Sequence, residues 1–154
     1  MSNAFTFNPP TTYAEWAELL DKLKNKEYDV DVLPALKQGT LVWQSGVAER
    51  FAHKLVITIN MRMNAATDKF QKDLIRGHGQ EGSIVQAILA LRKEMAFLHN
   101  VINLPAIPEK DRARYCALVR GQADKMQETL EESARKDRSG KMSSIVRNHK
   151  VNTF

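Results

Sequence analysis

Chemistry in this chain would have to come from four histidines, one cysteine, the carboxylates or the cations. His53, His78, His99 and His149 are far apart, and none joins another His or Cys at metal-ligand spacing, so no metal site is expected. His99 falls near the end of a helical segment, where a cation is favoured. His78 falls in Gly77-His-Gly-Gln-Glu-Gly82, a turn with the glycines of a phosphate cradle. That turn follows a helical stretch instead of a strand and lacks the terminal Lys-Ser/Thr, so a nucleotide site is not expected. Ser45-Gly46 has no base or elbow context for a nucleophile. The carboxylates fall on polar helix faces, and without burial little raises a carboxyl pKa toward general-acid work. Cys116, in Arg112-Ala-Arg-Tyr-Cys-Ala-Leu-Val, reads as a small core residue; Arg112, Arg114 and Arg120 would favour a thiolate only if aimed at it. The expectation is a non-enzymatic chain without a cofactor.

The cations are more numerous. Net charge is +5, and residues 1–37 set four Lys against six acidic residues, so the remainder is strongly basic. Arg50, Lys54, Arg62, Lys69, Lys72 and Arg76 lie on one long helical stretch, and Arg135, Lys136, Arg138, Lys141, Arg147 and Lys150 lie near or in the tail. These are the candidates for nucleic-acid contact. They do not form one clean stripe: Glu49, Asp68 and Asp73 interrupt the first set, and no zinc finger, base-reading helix or aromatic stacking motif accompanies them. Any such binding would be to the phosphate backbone and would weaken steeply with salt.

The candidates for contact with another protein are apolar residues in segments that cannot build a core. Pro9-Pro10 keeps residues 1–12 out of helix, which leaves Phe5 and Phe7 on an arm. Ile145, Val146, Val151 and Phe154 lie in a basic tail, residues 137–154, and are too apolar for a purely solvating segment. Trp43, beside Leu41 and Val42, is a core residue or a contact anchor, and Met61 and Met63 flank Arg62, so one of them must point away from the main apolar stripe.

The elements that position these residues are read from period. Thr12-Tyr-Ala-Glu15 fits a capping box, and Trp16, Leu19, Leu20 and Leu23 then recur at helical spacing, predicting a helix over 13–26. Tyr28-Asp-Val-Asp-Val32 alternates but has no partner strand, so it is an extended connector; Asp31 then caps a brief helix, Val32 to Gln38, ended by Gly39. Residues 41–76 read as one long helix on the stripe Val47, Phe51, Leu55, Ile59, Met63, Ala66, Phe70 and Leu74, although the β-branched run Val56-Ile-Thr-Ile59 has poor helix propensity and marks the place for a kink or break. Helices over 83–103 and 108–136 follow, the latter opened by Pro108 and carrying Tyr115, Leu118, Val119, Gln122, Met126 and Leu130 as its buried side. The fold class is all-α: an antiparallel helical bundle spanning 13–136 as a single domain, with an arm at each end.

A hydrophobic content of 43% in 154 residues suits an ordinary core. One cysteine permits no intrachain disulfide, and no window approaches a membrane span or a secretory leader, so a cytoplasmic protein without a membrane role is expected. The long helix outruns its neighbours, and its surplus apolar surface predicts self-association or a protein partner, with nucleic acid as the alternative.

Overall fold

The structure, a computed structural model, describes residues 8–25, 32–77 and 80–154. The described residues form an all-α helical bundle of six helices: α1 (Tyr13–Lys24), α2 (Leu33–Lys37), α3 (Val47–Arg76), α4 (Glu81–Ile102), α5 (Glu109–Lys136) and α6 (Lys141–Asn148). Among the described residues there is no strand. Phe5, Phe7 and Asp31 lie outside them. The chain forms two compact units, Met1–Arg62 with His99–Cys116, and Met63–Leu98 with Ala117–Phe154.

In the first unit α1 starts as its sequence dictates. Thr12 accepts from the Glu15 amide, and the Glu15 carboxylate accepts from the Thr12 amide. Its apolar stripe buries Trp16, Leu20 and Leu23, and α3 adds the buried Phe51, Leu55 and Ile59 to the same unit. The indole of Trp16 meets Phe51 edge-on at 5.5 Å and donates from Nε1 to the Thr40 carbonyl at 2.8 Å. A Cβ on Gly39 would stand 2.6 Å from Trp16 Cζ2, which is why the chain leaves α2 through a glycine. Tyr115 of α5 is buried here too, its hydroxyl donating to the Ala52 carbonyl at 3.3 Å.

The long helix is continuous from Val47 to Arg76, without a break at the β-branched run. Thr58 spends its hydroxyl on the Lys54 carbonyl one turn back, at 2.9 Å. The helix begins six residues later than the pattern predicts. Gly46 has φ +83°, a left-handed turn that starts α3 afresh, and the preceding stretch is held by tertiary contacts: Thr40 donates to the Pro10 carbonyl, and Trp43 meets Phe51 edge-on at 5.4 Å.

In the second unit Phe70 of α3, Ile84, Ile88, Leu91 and Met95 of α4, and Val119, Met126 and Leu130 of α5 form the core. Leu118 departs from its expected burial and is 39% exposed, at the edge of the α5 stripe. Residues 137–154 are not an extended arm throughout. They contain α6, whose Met142, Ile145 and Val146 recur at i, i+3 and i+4 and are buried, and Val151 is fully buried beyond it. Asp137 fastens the start of α6 by accepting from the Met142 amide at 2.9 Å.

Candidate functional site

The covered side of α3 takes up Phe51, Leu55, Thr58, Ile59, Arg62 and Met63, leaving the opposite side bare. On that bare side Arg50, Lys54, Ile57, Met61, Asn64, Asp68, Gln71 and Ile75 follow one another in steps of four and three. All are exposed except Lys54, which is half-buried. Ile57 is 38% exposed and Met61 54%, so in the first unit two apolar side chains one turn apart face solvent; Ile75, in the second unit, is 77% exposed.

In the first unit this face borders a cleft of about 230 Å³ between α1 and α3, lined by Tyr13, Asp21, Lys24, Arg50, His53, Lys54, Ile57 and Thr58. The Arg50 guanidinium lies over the Tyr13 ring, 4.9 Å from its centre, and Nε donates to the Gly46 carbonyl at 3.3 Å. Lys54 Nζ stands 2.8 Å from Asp21 Oδ1, and that bond holds the Asp21 carboxyl below its ordinary pKa. With Lys24 present, three cations face one carboxylate, so the cleft is net positive beside an apolar pair.

The remaining predicted cations are dispersed. Arg62 departs most from its expected place on a wet face: it is 2% exposed, and Nη1 donates to the Leu23 carbonyl at 2.9 Å, closing the end of α1. It is closed to phosphate. Lys69 pairs with Asp73, and Arg135 and Lys136 both pair with Glu132, at 2.7 and 3.6 Å. Lys72, Arg76, Arg138, Lys141, Arg147 and Lys150 are exposed.

Of the predicted protein-contact residues, Met61 and Trp43 reach the surface, Trp43 with 37% of its area. Ile145 and Val146 are spent on the chain's own core. Phe154 is half-buried with Arg120 over its ring at 4.5 Å. Ile57 stands i, i+4 from Met61 on the same face, and Arg120, Asp124 and Gln127 of α5 share a second stripe, which receives the C-terminal segment; neither Ile57 nor that stripe is among the residues expected from the sequence.

Glu15, Asp21 and Glu132 are each held below the ordinary carboxylate pKa, through hydrogen bonds from Thr11, Lys54 and Arg135 respectively. Such groups are held as anions, the reverse of what a general acid needs. Cys116 Sγ accepts from Asn103 Nδ2 at 3.3 Å. Among the described residues no three His, Cys, Asp or Glu side chains are grouped to hold a metal ion, and no helix is long and apolar enough to cross a membrane. Comparison of the chain with protein-family models, with curated proteins and with solved structures finds no match.

Proposed function

We propose that this chain is a non-enzymatic helical interaction protein that self-associates by pairing the bare face of α3 with the same face of a second copy. The observation that carries the reading is the exposed pair Ile57 and Met61, one turn apart on the bare face of α3. An antiparallel pairing centred at position 59 sets Ile57 against Met61 of a second copy, Lys54 against Asn64, and Arg50 against Asp68. The face is therefore complementary to itself in reverse, as a two-fold interface must be. The apolar pair supplies burial, and the outlying Arg–Asp contacts fix direction. A single thiol and many cations fit such a protein in the reducing cytoplasm.

Light scattering across a concentration series tests this. The expected mass is twice the 17.5 kDa of the chain, retained in high salt because apolar contact is strengthened rather than screened. Ile57→Asp and Met61→Asp, both at surface positions, should return the mass to one chain with the helical circular dichroism unchanged. A wild-type mass of one chain at every concentration, or an oligomer indifferent to both substitutions, refutes the reading.

A further inference from the structure

The crevice between α1 and α3 in the first unit holds more positive charge than its own carboxylate neutralises. Lys54 and Lys24 share Asp21, their ammonium groups standing 2.8 and 3.8 Å from Oδ1. Arg50 pairs with no carboxylate among the described residues. Its Nε is spent on the Gly46 carbonyl at 3.3 Å and its plane lies over the Tyr13 ring, which fixes the guanidinium and leaves both Nη groups to be used. Three cations thus face one carboxylate across a cleft of about 230 Å³, a surplus of two. The side chains of Lys24 and Lys54 are 30% and 29% exposed, less than half the 69% of Lys69 on the open surface, so water and salt screen them less.

A surplus of two selects for the charge on a ligand. A carboxylate or a phosphodiester brings one negative charge and leaves the cleft cationic, whereas a phosphomonoester, with its second pKa at about 6, brings nearly two at neutral pH. The donors suit phosphate as well. Arginine offers a planar fork that can bond two phosphate oxygens at once, and lysine a compact point charge. The Tyr13 hydroxyl and the His53 ring line the same cleft as further donors. These groups are positioned beforehand: Asp21 holds the Lys54 ammonium, Tyr13 backs the Arg50 plane, and Arg62 ties α3 to the end of α1 through the Leu23 carbonyl. Little ordering is left for an arriving anion to impose, which favours affinity.

The size of the cleft limits what accompanies the phosphate. Sites that enclose drug-sized ligands measure roughly 300–1,000 Å³. A cleft of about 230 Å³ takes a phosphate and a small group esterified to it. Ile57, 38% exposed, is the aliphatic side chain that lines it and the surface on which such a group can rest. We infer that Arg50, Lys24 and Lys54 form a binding site for a small organic phosphomonoester, its dianion held by the three cations and its organic group against Ile57. The site does not rest on the pairing of α3, because every residue that lines it belongs to the first unit of one chain.

The test is calorimetric titration of the full-length chain with phenyl phosphate. Wild type, or Met61→Asp where pairing of α3 covers Arg50, should bind it saturably and less tightly as salt rises. Arg50→Gln should weaken binding roughly tenfold, the worth of one charge-assisted contact, and Lys24→Gln several-fold. Lys69→Gln, which removes a cation of the second unit, should leave binding unchanged. Inorganic phosphate should bind more weakly than phenyl phosphate for want of the Ile57 contact, and dimethyl phosphate, with one charge, more weakly too. Where Arg50→Gln alters the helical circular dichroism, Lys24→Gln carries the comparison. No saturable binding to wild type or to Met61→Asp overturns the site. So does an equal loss in Lys69→Gln, the mark of a general response to net charge. Equal binding of dimethyl phosphate overturns the dianion, and equal binding of inorganic phosphate overturns the organic group.

Discussion

The indole of Trp16 lies so close to Gly39 that the position admits no side chain, a Cβ there falling 2.6 Å from Cζ2 and 3.0 Å from the Pro10 ring. Through this contact the residues that end α2 set the position of the largest side chain in the core. Gly39→Ala should therefore force the indole or Pro10 to shift, and with it the 2.8 Å bond from Trp16 Nε1 to Thr40. Overpacking of this kind costs about 1–3 kcal/mol. The urea midpoint should fall with an unchanged slope, and tryptophan fluorescence should report the displaced ring; an unaltered midpoint would mean that the contact relaxes freely.

The tie between α1 and α3 should be visible in the pH dependence of stability. Lys54 bonds to Asp21 and, with the field of Lys24, keeps its carboxyl below the ordinary range. A carboxyl with a lower pKa in the folded chain than in the unfolded one adds stability above the unfolded value, near 4, and loses it as pH falls through the folded value. Wild type should therefore exceed Asp21→Asn at pH 7 and converge with it in acid. The pair is half-exposed, so the gap should be under about 1 kcal/mol and shrink in high salt. Equal gaps at pH 7 and pH 3, measured by urea unfolding, would show that the pair contributes nothing.

Arg62 separates stability from binding. Arg62→Met keeps much of the stem but removes the donor to the Leu23 carbonyl, at a cost of about 1–3 kcal/mol. Because the guanidinium is closed to phosphate, the same substitution should leave the response to a nonspecific duplex unchanged. That response is expected to be small at physiological salt, since Lys54, Lys69, Arg135 and Lys136 already face carboxylates of their own chain. Tight duplex binding that falls steeply with salt would transfer the function to nucleic-acid backbone.

How far the fold could be read in advance follows from the range of the forces involved. The Thr12–Glu15 capping box is a local device and appears where the sequence places it. The α4 and α5 stripes repeat for several turns, so their period is unambiguous, and only the edge residue Leu118 is misplaced. The tail helix is barely two turns long, and Met142, Ile145 and Val146 repeat too few times to stand out from a Ser- and Lys-rich background. Arg62 reads as a wet cation because its partner is 39 residues away in sequence. Met61 was legible as the methionine forced off the stripe. Ile57 is hidden in the β-branched run Val56-Ile-Thr-Ile59, whose poor helix propensity points to a break and not to a surface.

The start of α3 shows the same limit and yields a sharp test. Leu41-Val-Trp-Gln-Ser45 is compatible with helix, and the later start at Val47 depends on Gly46 at φ +83° and on Trp43 meeting Phe51. Nothing lies within 4 Å of a Cβ built at Gly46, so the demand there is purely conformational. Gly46→Ala should cost about 1–2 kcal/mol, the penalty of the left-handed region for a residue with a Cβ, and Gly46→Asn less, because asparagine tolerates that region. Thermal unfolding of the two variants checks the order. Equal melting temperatures for Gly46→Ala and wild type would mean that the glycine does not hold the boundary of α3.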